Sequence, residues 1–370
     1  MGLFENSSKK IYLHIGADKF GSSSIQYFLS QNKNLKNNSG EAIDYVCIIP
    51  PGEVITQPEI FETTQKMIQS FRNSNFASNP YTLSKELRKN MTNSMRKKIS
   101  KKKNILLSSE GWLRGICNSN NFDTLLGFFN EKISYDIAIL AVVRSPVSWI
   151  NSAWWQWGVW NSKYKSFDDW LETAIPSTLW FKFLLDYQNN PLIKKTKIVS
   201  LEENLTDELI KFLDLKENNN YKSDFTNFSL DKYFYKALLS IEEYKLNDQK
   251  RRRVFFLFDQ LLKSYKYRSK TPWVLNKNHI NRILEKTEAA NLKLLNLVNK
   301  KTRKLIINNS EWWDIGAFSD KTLSDPYLND LSLNEDLTNL IYQLFKSNEK
   351  DFDFISSKSL KKEFIDYLSF

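Results

Sequence analysis

The stretch that decides the fold runs from residue 11 to residue 26 and reads Ile11-Tyr12-Leu13-His14-Ile15-Gly16-Ala17-Asp18-Lys19-Phe20-Gly21-Ser22-Ser23-Ser24-Ile25-Gln26. The apolar run at its start predicts a buried strand over residues 11–16, and the later spacing of apolar residues predicts a helix from near Ser22 to about Asn32. Gly16 and Gly21 permit tight backbone turns between the two elements. The first amides of a helix have no partner within the helix, so this connection predicts a cradle for an anion such as phosphate.

The connection differs from the nucleotide P-loop in the place of its lysine. In a P-loop, two glycines separated by four residues are followed by Lys and then Ser or Thr. Here Lys19 lies between the glycines, and Ser22 stands where the lysine would be. The Walker pattern therefore does not match, and a plain strand-to-helix turn with an exposed lysine is the competing interpretation.

Further strands are predicted to alternate with helices along the first 200 residues. The predicted strands are 43–49, 104–108, 137–143 and 197–201, and the predicted helices are 83–102, 121–131, one that begins after Arg144, and 166–190. Residues 53–82 are expected to be irregular or weakly helical. The continuous apolar run at 137–143 is typical of a strand buried on both faces of a parallel sheet. We therefore expect an α/β fold with a central parallel sheet of about five strands.

Strand patterns stop beyond residue 230. Helical patterns occupy 230–268, 277–306 and 333–347, and residues 312–332 resemble a loop. No linker rich in Gly, Pro or Ser separates this part from the rest. We expect an α/β core over residues 1–225 and a helical extension over 226–370 that packs on the core, or a single continuous domain.

Composition limits the classes of partner. The chain has 370 residues and a net charge of +11, which favours anionic partners. Its clusters of Lys and Arg are interpreted as solvated helix faces, so nucleic-acid binding is not favoured. No apolar run approaches the ~20 residues of a membrane span, and no signal peptide is recognisable, so a cytoplasmic location is expected. With two cysteines and two histidines in the chain, neither a disulfide framework nor a metal site is expected.

A second motif follows the predicted strand 137–143. Arg144 comes at the carboxyl end of this strand, where open α/β sheets bind ligands, and Ser145 and Pro146 are typical of a helix start. Ser152 lies about two helical turns after Ser145. A guanidinium and a hydroxyl can therefore converge on one phosphate.

Together the two motifs resemble those of sulfotransferases. Bacterial carbohydrate-type members carry a loop like His-Ile-Gly-x-x-Lys-Thr-Gly-Thr-Thr-Ser-x-Gln, and family members hold a phosphate with an Arg that is followed eight residues later by Ser. The first pattern is matched at His14, Ile15, Gly16, Lys19, Gly21, Ser24 and Gln26, with Ser22 and Ser23 as conservative replacements and Phe20 as the departure. The second is matched at Arg144, Pro146 and Ser152. The resemblance covers most of residues 11–300.

The resemblance implies a P-loop-like three-layer fold and a sulfuryl transfer. The donor would be 3′-phosphoadenosine 5′-phosphosulfate, the product adenosine 3′,5′-bisphosphate, and the acceptor a hydroxyl or amine of a carbohydrate or glycan precursor, with no metal. Lys19 would contact the bridging oxygen of the leaving group. The amides of Phe20, Gly21, Ser22 and Ser23, with the serine hydroxyls including that of Ser24, would hold the 5′-phosphate. Arg144 and Ser152 would hold the 3′-phosphate.

Acceptor residues follow from the same resemblance. Glu110, just past the strand 104–108, is the expected general base, since family members place a His or Glu there and an apolar setting beside Trp112 favours a raised pKa. From the residue type alone, Trp112, Trp154 and Trp155 are candidates for stacking on a sugar, with core packing as the more common role of tryptophan. His14 lies inside a strand and is expected to be a hydrogen-bonded core residue.

Two other classes of function stay open at this point. One is a P-loop phosphotransferase or NTPase, against which the position of Lys19 argues. The other is a non-catalytic basic protein that binds nucleic acid or an acidic glycan through its charged runs.

Overall fold

The structure is a computed structural model. It describes residues 9–16, 20–49, 53–63, 93–94, 97–98, 104–110, 112–115, 135–161, 163–216, 221, 230–241 and 270–346. Lys19, the predicted helix 121–131, and most of the predicted helices 83–102 and 230–268 lie outside these ranges.

One six-stranded sheet forms the centre of the described fold, with helices around it. Its strands are β1 (Lys9–Ile15), β2 (Ile43–Ile49), β3 (Glu53–Thr56), β4 (Asn104–Ser109), β5 (Tyr135–Val143) and β6 (Ile193–Ser200), in the spatial order β3-β2-β4-β1-β5-β6. Every neighbouring pair is parallel except β2 and β3. The α/β prediction with a largely parallel sheet is confirmed, and the arrangement is consistent with a three-layer fold.

Strand β3 corrects the expectation that residues 53–82 are irregular or weakly helical. Residues 53–56 pair antiparallel with residues 46–49 of β2, and Val54 and Ile55 are buried. The intervening Pro50-Pro51-Gly52 is rich in turn-forming residues, which suits a hairpin. A four-residue strand is too short for a hydrophobic period to be visible in the sequence.

The α-helices of the described fold include α1 (Ser22–Gln31), α2 (Trp112–Gly115), α3 (Pro146–Ala153), α4 (Phe167–Ala174), α5 (Trp180–Asn189), α6 (Leu205–Phe212), α7 (Lys232–Ser240), α8 (Lys277–Leu294), α9 (Lys300–Asn308) and α10 (Glu335–Lys346). A π-helical turn, Trp154–Gly158, continues α3. Within the described ranges, no helix is both long and apolar enough to cross a bilayer.

Two predicted helices are each divided in two. The segment 166–190 is interrupted by a 3-10 turn at Ile175–Thr178, where Pro176 has no amide to donate. The segment 277–306 breaks before Asn299, whose side chain accepts a hydrogen bond from the amide of Thr302 and caps α9.

Residues 270–346 pack directly on the sheet-bearing part of the chain. The Asn151 side chain donates to the carbonyl of Pro272 (3.1 Å) and accepts from the amide of Val274 (2.9 Å). The Thr302 hydroxyl donates to the carboxylate of Glu203 (2.8 Å), just beyond β6. The C-terminal elements thus reach the edge of the sheet where β5 and β6 end.

The strand order places a switch point between β1 and β5. The chain leaves β1 toward β2 on one side of the sheet and leaves β5 toward β6 on the other side. In open α/β sheets, ligands bind outside the carboxyl ends of strands at such a point. The predicted anion-binding motifs follow these same two strands.

Candidate anion-binding site

The connection from β1 to α1 turns at Gly21. This residue has φ 73° and ψ 11°, a left-handed conformation that favours glycine, and it occupies the N-cap of α1. A Cβ at this position would lie 2.5 Å from Cδ1 of Leu205 and 3.0 Å from Cδ1 of Leu201. The turn therefore needs glycine both for its backbone conformation and for the close approach of α6.

The first turn of α1 keeps free hydrogen-bond donors. The amide of Ser24 donates to the carbonyl of Gly21 (2.9 Å). The amides of Ser22 and Ser23 have no partner among the described residues. These are the amides of a helix N-terminus that can bind an anion.

A buried polar notch lies beneath this turn, at Gly16. A Cβ on Gly16 would come within 2.9 Å of Ser22 Oγ and 3.9 Å of His14 Nε2. Both side chains are 1% exposed, and neither of these two atoms has a hydrogen-bond partner among the described residues. The other ring nitrogen of His14, Nδ1, lies 2.7 Å from the hydroxyl of Ser108 in β4. Burial lowers the pKa of His14 to about 3, so the ring is neutral near pH 7.

Phe20, the departure from the sulfotransferase pattern, turns its side chain into the core. The ring is fully buried and packs edge-on against Trp180, with 4.7 Å between ring centroids. Nε1 of Trp180 in turn donates to the backbone carbonyl of Arg144 (2.9 Å). The aromatic side chain thus links the loop after β1 to the end of β5.

The connection from β5 to α3 is already occupied by a carboxylate of the same chain. Ser145 is the N-cap residue, as predicted, but its hydroxyl does not cap the helix and instead donates to the backbone carbonyl of Glu311 (2.7 Å). The hydroxyl of Ser148 donates to Oε2 of Glu311 (2.6 Å). Burial lowers the pKa of Arg144, while the negative charges of Glu311 and Glu202 raise it. Glu311 therefore supplies an anion where the sequence predicted a phosphate.

Glu202 is the second acidic residue at this end. It follows β6, and its Oε1 accepts from the side-chain amide of Asn309 (2.7 Å). Burial raises its pKa and the nearby Glu311 raises it further, whereas hydrogen bonds and Arg144 act in the opposite direction. Sequence reasoning missed both acidic residues. Of the two, only Glu202 could have been found from the sequence, because it comes just after a predicted strand.

Ser152 lies about two turns into the same region, as its spacing predicted, and is half-buried. Its hydroxyl donates to the backbone carbonyl of Ser148 (3.0 Å). A phosphate contact from Ser152 would therefore compete with a hydrogen bond within the helix.

Glu110 lies at the same edge of the sheet as the loop after β1. Ile15 and Ser109 are partners in the pairing of β1 with β4, so Gly16 and Glu110 are the next residues of two adjacent strands. The Glu110 side chain is half-buried. Its position suits a base that faces a ligand held by the β1–α1 turn.

The three tryptophans predicted to stack on a sugar are buried instead. Trp112, Trp154 and Trp155 are each 1% exposed. Nε1 of Trp154 donates to the carbonyl of Pro326 (2.9 Å), and Nε1 of Trp155 donates to that of Pro272 (2.8 Å). Their faces are covered by protein, so the stacking hypothesis does not fit these residues, which act as core anchors.

The described residues hold no group of three or more His, Cys, Asp or Glu side chains placed to bind a metal ion. Comparison of the chain with models of protein families, with curated proteins and with solved structures finds no match.

Proposed function

We propose that the protein is a sulfotransferase that uses 3′-phosphoadenosine 5′-phosphosulfate as its donor. One observation carries the proposal: the two anion-binding motifs leave adjacent strands, β1 and β5, at the same edge of the sheet and on the two sides of its switch point. A nucleotide with phosphates at both ends needs two such sites close together. The P-loop-like character of the fold is part of the proposal.

The β1–α1 turn would hold the 5′-phosphate end of the donor. Its amides at Ser22 and Ser23 are unpaired among the described residues, and the buried hydroxyl of Ser22 has no partner there. Phe20, Gly21 and Ser24 complete the turn, since the side chain of Phe20 is directed into the core and its amide stays with the loop. This donor set fits a phosphate.

The β5–α3 end would hold the 3′-phosphate through Arg144 and Ser152. Both residues lie where the resemblance requires them, after β5 and in α3. Glu311 carries the same charge as the ligand and contacts the same helix start. We therefore expect the carboxylate of Glu311 to oppose phosphate binding.

The chemistry requires a base for the acceptor and donors for the leaving phosphate. Sulfuryl transfer forms a bond from the acceptor oxygen or nitrogen to sulfur and breaks the bond from sulfur to the bridging oxygen. Glu110 is the proposed base, because it is half-buried at the same edge. His14 is not suited to this role, since burial lowers its pKa to about 3. Lys19 is proposed to contact the bridging oxygen.

The acceptor is proposed to be a hydroxyl or amine of a carbohydrate or glycan precursor. This part rests on the sequence resemblance to carbohydrate-type sulfotransferases, because the tryptophans that were expected to bind a sugar are buried. A cytoplasmic location is proposed together with the nucleotide donor.

Calorimetric titration with adenosine 3′,5′-bisphosphate tests the proposal. We expect binding that is at least about tenfold tighter than that of adenosine 5′-monophosphate, because only the bisphosphate fills both ends of the site. Arg144→Ala should abolish this preference while leaving the weaker monophosphate binding. Magnesium-dependent binding of ATP without bisphosphate binding would instead favour the phosphotransferase alternative. Salt-sensitive binding of nucleic acid alone would favour the non-catalytic one.

A further inference from the structure

The polar notch at Gly16 is an unusual feature for the interior of a protein. Buried side-chain donors and acceptors are nearly always paired, and an unpaired one costs about 1 to 3 kcal/mol. Here two atoms, Ser22 Oγ and His14 Nε2, are unpaired among the described residues and flank the same glycine. The position that a Cβ on Gly16 would take lies 2.9 Å from Ser22 Oγ, too close for a carbon atom but within hydrogen-bond distance of a ligand oxygen. The two atoms also lie beside a helix N-terminus, where backbone amides can bind an anion.

We propose that His14 is an anion-binding residue whose Nε2–H donates a hydrogen bond to an oxygen of the donor's 5′-phosphate, at the notch beside Gly16 and Ser22. This inference rests on the proposed function for the identity of the anion. It assigns a ligand contact to a residue inside β1, whereas the sequence motif predicted that His14 is a core residue.

The contact of His14 with Ser108 gives the ring its orientation. Nδ1 of His14 and the Ser108 hydroxyl are 2.7 Å apart, and both residues are buried. A serine hydroxyl can donate or accept, and a neutral imidazole carries one proton. If the hydroxyl donates to Nδ1, the proton is on Nε2, which is the nitrogen beside the notch. The proposal therefore requires the Nε2–H tautomer, with Ser108 as the residue that fixes it.

The neutral state suits this task. In the free protein, a buried charged imidazole would require a counter-charge, whereas a neutral N–H donor requires none and can still pair with an anion that backbone amides also hold. Ser22 offers its hydroxyl to the same space, so one oxygen could be bound from the strand side and the helix side together.

NMR on protein labelled with ¹⁵N-histidine tests the proposal directly, because the chain holds only two histidines, His14 and His279. We expect the His14 signals to show the Nε2–H tautomer in the free protein. Adenosine 3′,5′-bisphosphate should shift its Nε2 signal while that of His279 stays in place. The Nδ1–H tautomer, or an unmoved His14 signal at saturation, would overturn the proposal for His14.

A matched pair of variants separates the two ring nitrogens. His14→Asn keeps a polar group near the position of Nδ1, and so the contact with Ser108, but loses the group at Nε2; we expect about tenfold weaker binding of the bisphosphate. His14→Gln places an amide near the position of Nε2 and should bind within about threefold of the wild type. Wild-type affinity in His14→Asn would contradict the assignment.

Inorganic phosphate serves as a second probe, so that failure of the nucleotide assignment can be distinguished. Shifts of the His14 Nε2 signal by phosphate, without bisphosphate binding, would support His14 as an anion donor and contradict the proposed function. Bisphosphate binding with no change at His14 would leave the proposed function standing and remove His14. No response to either probe would overturn both.

Discussion

The two strand ends at the switch point have the same architecture but differ in the hydrogen bonds that their side chains make. After β1, the helix start keeps unpaired amides and a buried hydroxyl beside a histidine nitrogen without a partner among the described residues. After β5, the helix start is contacted by the carboxylate of Glu311, and the hydroxyls of Ser145, Ser148 and Ser152 all donate within the protein.

The difference shows that a motif predicts a candidate ligand site but not whether its side chains are already paired within the protein. Both connections were recognisable from glycine, serine and arginine at characteristic spacings. Among the described residues, the β1–α1 end has a buried serine hydroxyl and a histidine nitrogen without partners, whereas the hydroxyls of Ser145 and Ser148 at the start of α3 donate within the protein. At the β5–α3 end, Glu311, a residue far along the chain, accepts hydrogen bonds from the hydroxyls of Ser145 and Ser148. The first end is thus expected to bind an anion directly, and the second only in competition with Glu311.

Substitution of Gly21, in the β1–α1 turn, should have the largest effect on stability. Gly21→Ala combines a left-handed backbone at φ 73° with a Cβ 2.5 Å from Leu205 Cδ1. We expect the free energy of unfolding to fall by about 2 to 4 kcal/mol, from backbone strain and overpacking together. Denaturant unfolding followed by circular dichroism measures this change.

Gly40→Ala is the matched control for Gly21. Gly40 also has a positive φ, 81°, but no atom lies within 4 Å of its Cβ position. Gly40→Ala should therefore lower the free energy of unfolding only through backbone strain, by about 1 to 2 kcal/mol. Equal losses in the two variants would show that packing against α6 does not constrain the turn.

Glu311→Gln should make the β5–α3 end bind a phosphate more readily. The amide oxygen can still accept from Ser148, but the negative charge beside Arg144 is removed. We expect about tenfold tighter binding of adenosine 3′,5′-bisphosphate, since loss of one like charge beside a phosphate is worth on the order of 1 kcal/mol at a partly solvated site. Calorimetric titration gives the affinity.

Glu172→Gln controls for the change in net charge. Glu172 lies on α4 and is paired with Arg282 and Lys286 of α8. An equal gain of affinity in this variant would mean that overall charge, and not the place of Glu311, governs binding.

A fall in pH should weaken the ion pairs that hold α9, the helix just before Glu311, against the rest of the fold. The carboxylate of Glu208 lies 2.7 Å from Lys197 and 2.6 Å from Lys301, the second of which belongs to α9, just before Glu311 in the chain. Burial by itself raises the pKa of Glu208, but hydrogen bonds and the charges of the two lysines outweigh it and lower the pKa to about 2.

The direction of the pH effect follows from that shift. Because the pKa of Glu208 is lower in the folded state than the ordinary value of 4.5, its contribution is present above that value and is lost as the pH falls toward 2. Glu208→Gln should therefore flatten the dependence of unfolding free energy on pH between about 5 and 2, measured by urea titration. An unchanged slope would show that other groups hold α9 in place.

Ser152→Ala should have the smallest effect. Its hydroxyl already donates to the carbonyl of Ser148, so a phosphate gains little from it in the free-energy balance. We expect bisphosphate affinity to fall by about twofold to threefold and stability to change by less than about 0.5 kcal/mol. A loss as large as that of Arg144→Ala would show that the hydroxyl leaves Ser148 when ligand binds.

Much of the sheet could be predicted because its strands are continuous apolar runs. The strands β1, β2, β4 and β5 were expected within two residues at each end, since burial on both faces leaves an uninterrupted hydrophobic pattern. The edge strand β3 was missed because it is short. The breaks before α5 and α9 were missed because a helical period continues across a one-turn interruption.

The candidate site was predicted only in part for a related reason. Gly21, Ser22 and Arg144 stand in local patterns, and the structure brings these residues to one edge of the sheet. Trp154 and Trp155 were candidates for stacking as well as for core packing, because sequence cannot distinguish a buried ring from an exposed one, and the structure buries both. Glu311 stands in no motif, and only folding brings it to Arg144.

By itself, the sequence determined the α/β class, the turn after β1 and the arginine after β5, because each depends on residues that are neighbours in the chain. The tertiary structure alone decided that Ser22 and His14 flank Gly16, that Phe20 points into the core, and that a carboxylate lies at the start of α3. Those features depend on distances between residues far apart in the chain, and such contacts leave no local pattern to detect.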